Sequence, residues 1–109
     1  MRLNIDFSVF LPTSSAGVVS GTVEFQTLPR VGETISFVRP KPGVLPVQVP
    51  GFAFLLKVED VLHTADPGRE LVSLSLEDLT LEHMRDVDVL AQFLKDGFGL
   101  NFDRHDTGL

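Results

Sequence analysis

The side chains in this sequence that could do acid–base or metal chemistry are three histidines and the carboxylates near them. His63 lies close to Asp60 and Asp66, an arrangement in which a carboxylate can orient a histidine for proton transfer or metal binding. A lone histidine at the end of a predicted strand is more often a surface residue. We therefore retain His63 as a candidate binding residue and predict no catalytic residue.

A second group with metal-binding chemistry lies near the C-terminus, in Asp103, His105 and Asp106. No predicted helix or second strand holds these three residues in place, whereas a working metal site needs preorganised ligands. We predict no metal and no cofactor.

The sequence lacks the short motifs of common enzymes. It contains no Gly-rich phosphate loop, no Gly-x-Ser-x-Gly and no His-Glu-x-x-His. The absence of cysteine excludes disulfides, thiolate catalysis and cysteine-ligated zinc. In the pairs Glu59/Asp60 and Glu77/Asp78, neighbouring strand residues point to opposite faces, so neither pair forms a catalytic dyad. These features favour a role other than catalysis.

The strongest candidate for a binding surface is the segment 39–51, RPKPGVLPVQVPG. Its four prolines each remove a backbone donor, which excludes a central strand. It is apolar for a loop of this length, and three interpretations compete: it packs back over the sheet, it contacts a partner chain, or it lines a ligand pocket. The candidate binding residues are Arg39, Lys41, Val44, Leu45, Val47 and His63.

Hydrophobic periodicity predicts one mainly β, α+β domain over residues 1–109, built as a small antiparallel sheet or a partly open five- to six-stranded barrel. Strands are predicted at about 3–11, 18–28, 33–39, 52–63 and 69–78, with a loop at 13–17 and a short edge strand as a further candidate at 99–103.

The central feature is a hairpin from Gly51 to Leu79 with a turn at Asp66-Pro67-Gly68. Its first strand has apolar residues on both faces, which predicts that both faces are covered. The candidate covers are the 39–51 segment and a C-terminal helix, and the helix is favoured.

An apolar stripe predicts this helix, most securely at about 86–96, packed on the sheet. Thr80 or Asp86 is the expected N-terminal cap and Gly97 the expected C-terminal cap.

The net charge of −6 is unevenly distributed, at +2 in residues 1–58 and −8 in residues 59–109. An acidic chain is poorly suited to the phosphate contacts of nucleic-acid binding, so we predict no nucleic-acid partner. No apolar run reaches the length of a membrane helix, and polar residues interrupt the N-terminal apolar positions, which predicts a cytoplasmic protein without a membrane partner.

Together these observations predict a protein-protein interaction or assembly module, with a protein partner or self-association as a homodimer. The alternative is a small-ligand binding protein or enzyme that uses a pocket near the 39–51 segment and His63.

Overall fold

The computed structural model describes residues 1–65 and 71–105. In this part of the chain the elements are, in order, β1 (Arg2–Leu11), β2 (Ser14–Glu24), β3 (Thr34–Ser36), β4 (Leu55–Thr64), β5 (Leu71–Leu76), β6 (Leu79–Thr80), α1 (Met84–Phe98) and β7 (Asn101–Arg104). The structure confirms the predicted α+β, mainly β fold with one C-terminal helix packed on a sheet. The predicted turn at 66–68 lies outside the described residues.

The seven described strands form an open sheet in the order β3-β4-β5-β1-β2-β7, with β6 also paired to β1. Two antiparallel hairpins, β1–β2 and β4–β5, lie side by side, with β1 parallel to β5. β6 also runs parallel to β1. The predicted sheet was antiparallel because consecutive strands usually pair with each other. The chain leaves the β1–β2 hairpin before it forms the β4–β5 hairpin. The two hairpins then meet with β1 and β5 side by side and pointing in the same direction, which makes that pairing parallel.

β2 begins at Ser14, inside the segment that was predicted to be a loop, and ends at Glu24 rather than near residue 28. The small residues Ala16 and Gly17 are buried there because β2 is paired with strands on both sides. A Cβ atom at Gly17 would clash with the carbonyl oxygen of Asp103 in β7. Tertiary packing thus overrides the local preference of these small and polar residues for a loop.

β4 is covered on one face only, unlike the prediction. Leu55 is 47% exposed and Leu62 is 59% exposed, whereas Leu56 and Val58 are buried. The pairing register of β4 with β5 shifts between Val58 and Asp60. An extra residue in a strand changes which residues face the core, so the shift places Leu62 on the outer face.

α1 extends two residues beyond the predicted helix at each end. Its N-terminal cap is His83, which forms no capping side-chain hydrogen bond, and its C-terminal cap is Gly99 with φ of 70°. The Gly99 N–H donates to the Lys95 carbonyl at 3.1 Å. The predicted cap Gly97 instead lies buried within the last turn, where the absence of a side chain serves packing.

Candidate functional site

The first end of the 39–51 segment is fastened to the last turn of α1. The Pro40 ring lies against Gly97, where a Cβ atom would come within 2.6 Å of the Pro40 Cβ. The Lys41 N–H donates to the Gly97 carbonyl at 3.1 Å. Glycine therefore permits a close approach of the segment to the helix that any other residue would obstruct.

The second end of the segment is held by aromatic packing. Val49 is 5% exposed and accepts a hydrogen bond at 3.1 Å from the Phe52 N–H. The Phe52 and Phe54 ring centroids lie 4.8 Å apart, and Phe54 contacts the helix residue Phe93 edge to face at 5.3 Å. Phe54 has φ of 63°, a left-handed conformation that is costly for a residue with a side chain. The packing of its ring offsets this cost.

The contacts of Pro40 with Gly97 and of Phe54 with Phe93 are the two anchors of the segment. Between them, the segment and α1 form the walls of an open groove of about 800 Å³. The groove is lined by Lys41, Gly43, Val44, Leu45, Val47, Val89, Gln92, Phe93, Lys95 and Asp96. Leu45 is 81% exposed and Val89 is 41% exposed. Phe93 is only 4% exposed. The result is an apolar groove with a charged rim, and the part contributed by α1 from Val89 to Asp96 is about 10 Å long at 1.5 Å per residue.

The charged rim contains two lysines and one carboxylate. The Gln92 side-chain amide donates to both carboxylate oxygens of Asp96, at 2.9 and 3.0 Å. Within residues 1–65 and 71–105, the ammonium groups of Lys41 and Lys95 form no ion pair with a carboxylate. A bound molecule therefore meets two positively charged side chains beside the apolar groove.

The groove brings together four of the six predicted binding residues, namely Lys41, Val44, Leu45 and Val47. Arg39 is exposed at the start of the segment and does not line the groove. His63 lies on β4 opposite Val72, is exposed, and does not line the groove either. The structure thus does not place His63 in one site with the 39–51 segment.

The helix side of this groove was not predicted from the sequence. The predicted apolar stripe consists of Leu81, Met84, Val87, Leu90, Ala91, Leu94 and Phe98. Val89 and Phe93 fall outside it, yet their i, i+4 spacing puts them next to each other on the helix surface. This second apolar pair was a detectable signal of another contact on α1. The identity of that contact required the fold, because the 39–51 segment has no periodicity that would predict its position.

The other reactive side chains form isolated contacts. His105 Nδ1 lies 2.7 Å from the Ser15 hydroxyl, at an exposed position. The carboxylates in the hairpin accept backbone hydrogen bonds, Glu77 from the Lys57 N–H and Asp60 from the Val61 N–H. No group of three metal-binding side chains comes together within the described residues, and Asp106 lies outside them.

The described residues include no helix that is both long enough and apolar enough to cross a membrane. Comparison with protein-family models, curated proteins and solved structures finds no match to this chain.

Proposed function

We propose that this protein is a protein-interaction module that binds a segment of a partner protein in the groove between residues 39–51 and α1. The observation that carries the proposal is the exposure of Leu45, at 81%, beside the apolar groove wall formed with Val89 and Phe93. Exposed leucines occur singly on many surfaces, but one that borders an apolar groove supports the proposal of a binding surface there.

The anchoring of the 39–51 segment supports this function. Because Pro40 and Phe54 fasten both ends to the helix, the groove exists before a partner arrives. A preformed groove reduces the conformational entropy that is lost on binding. Prolines within the segment restrict its backbone further. The segment and the helix together suit recognition of an amphipathic peptide, in which side chains along one face enter the groove.

The small-ligand alternative has less support. Small-molecule sites usually bury most of the ligand and place a few polar groups towards a common point. This groove is open to solvent, and its polar lining residues are exposed. Of the three polar residues considered for the alternative, Lys41 lines the groove, whereas Arg39 and His63 do not.

The proposal is tested with three fluorescein-labelled designed peptides of about 16 residues, a length near the minimum for a stable helix. All three carry leucines at i, i+3, i+4 and i+7 and differ in the remaining positions, which are glutamate, glutamine or lysine. Fluorescence anisotropy measures the dissociation constant of each peptide. We expect micromolar binding of at least one, weakened about tenfold by Leu45→Ser, since burial of part of a leucine contributes about 1.4 kcal/mol.

Leu62→Ser is the matched control, because Leu62 is a leucine that is 59% exposed on β4, outside the groove. Its substitution should leave peptide affinity unchanged. The proposal fails if none of the three peptides binds, or if Leu45→Ser and Leu62→Ser have the same effect. Circular dichroism melts of both variants verify that each remains folded.

A further inference from the structure

We infer that the partner segment is acidic as well as apolar, with carboxylates that pair with Lys41 and Lys95. This inference rests on the proposed function, because it specifies the chemistry of the segment that occupies the groove. The apolar residues of the segment would pack on Leu45, Val89 and Phe93.

The charges around the groove support this assignment. The protein carries a net charge of −6, yet the groove rim holds two lysines and one aspartate. Asp96 already accepts two hydrogen bonds from Gln92. The adjacent Asp88, on the same helix, is already bonded to Arg104. The nearby carboxylates thus have donors, whereas Lys41 and Lys95 have no carboxylate partner among the described residues.

A second depression continues this surface around α1 and strengthens the case for an extended occupant. Gln92 and Lys95 line both the groove and this depression, which also contains the ion pair between Asp88 and Arg104. An occupant that crosses Lys95 would therefore contact both surfaces. A short carboxylate-bearing small molecule would fill only one of them.

A second copy of this chain fits the groove less well. In a two-fold symmetric dimer the same surface meets itself, so the two lysines and one aspartate of one rim would face the same three charges of the other, with an excess of positive charge on both sides. Like charges at an interface oppose association, whereas carboxylates of an acidic segment match the rim. We therefore assign the groove to a segment of a different protein.

The experiment uses the glutamate, glutamine and lysine peptides described above with the single variants Lys41→Glu and Lys95→Glu. We expect the glutamate peptide to bind at least about tenfold more tightly than the glutamine peptide, and each variant to weaken it about five- to tenfold through loss of one attraction and gain of one repulsion. Affinity for the glutamate peptide should also fall as sodium chloride rises from about 0.05 M to about 0.5 M.

Lys57→Glu is the matched control, because Lys57 is an exposed lysine on β4 and its substitution changes the net charge by the same amount. It should leave the affinity within about twofold, because Lys57 does not line the groove and salt screens the interaction of exposed charges that are not in contact. If all three lysine variants weaken binding equally, the effect is one of net charge and the inference is overturned.

The outcomes separate this inference from the proposed function. If the glutamine peptide binds as tightly as the glutamate peptide and Leu45→Ser weakens both, the groove binds apolar segments and only the acidic assignment fails. If no peptide binds, the proposed function itself fails. Sedimentation velocity of the protein alone is expected to give a monomer at micromolar concentration. A dimer that Leu45→Ser dissociates would assign the groove to a second copy and overturn the inference.

Discussion

Two faces of α1 show two kinds of packing. Val87, Leu90 and Leu94 are each 1% exposed and belong to the same hydrophobic core as the strands. On the face towards residues 39–51, Val89 is 41% exposed and its neighbour across the groove, Leu45, is 81% exposed. One helix therefore has a closed interface on one side and an open one on the other.

The difference follows from the backbone that each face meets. A sheet presents side chains at regular spacing, and a helix with an apolar stripe can fill the spaces between them continuously. The 39–51 segment has four prolines and no regular spacing of side chains. It packs on the fold through Pro40 and through the half-buried Val44 and Val47, but it leaves Leu45 exposed, and the groove lies between these contacts and α1.

The largest expected effect is on the closed face. Leu90→Ala should lower the free energy of unfolding by about 3 kcal/mol, because it removes a fully buried side chain and leaves a cavity. Val89→Ala, one residue away on the open face, should change it by less than about 0.5 kcal/mol. Urea denaturation measures both values. Equal losses of stability for the two variants would show that Val89 is packed as tightly as Leu90 and that the two faces do not differ.

Substitution of the strained residue Phe54 should lower the free energy of unfolding by an intermediate amount. Glycine should be less destabilising there than alanine, whereas alanine is usually the less destabilising of the two. Phe54→Ala should cost about 2 kcal/mol, because the half-buried ring loses its contacts with Phe52 and Phe93. Phe54→Gly should cost about 1 kcal/mol less than Phe54→Ala, since glycine adopts φ of 63° without strain. Thermal and urea unfolding of the pair test this order. If glycine is the more destabilising substitution, Phe54 does not require a left-handed backbone.

At the other anchor, Gly97, we expect a smaller destabilisation than for Leu90→Ala or Phe54→Ala. Gly97→Ala should lower the free energy of unfolding by about 1 kcal/mol, because crowding against Pro40 outweighs the gain in helix propensity. The Lys41 amide, which donates to the Gly97 carbonyl, should then exchange its hydrogen faster. Hydrogen exchange by NMR measures this directly, with the Val19 amide in β2 as an internal reference. Increased stability with unchanged exchange at Lys41 would contradict the proposed anchor.

Local pattern predicted the elements where one face of a strand or helix is buried. The alternation Leu3, Ile5, Phe7 and Val9 in β1 corresponds to buried residues in the structure. Prediction was poorer at Ser14 to Gly17, where small and polar residues resemble a loop but belong to β2. Ser14, Ser15 and Gly17 pair with β1, and Gly17 also pairs with β7. Such pairing depends on residues distant in the sequence, which local composition does not encode.

The residues of the candidate site were likewise predicted only in part. The composition of the 39–51 segment singled out Lys41, Val44, Leu45 and Val47, which line the groove. The helix residues Val89, Phe93 and Lys95 were not predicted, because nothing local connects them to a proline-rich segment that ends 38 residues before Val89. His63 was selected by chemistry alone, and the fold places it on a separate strand.

The sequence by itself determined the mainly β composition, the amphipathic C-terminal helix and an irregular apolar segment at residues 39–51, because these follow from periodicity and from the backbone restrictions of proline. Only the tertiary structure decided that β1 pairs in parallel with β5, that Gly97 accepts the Pro40 ring, and that the segment lies along α1 with a groove between them. These features depend on contacts between residues far apart in the chain, and their geometry is set by the packing of the whole fold.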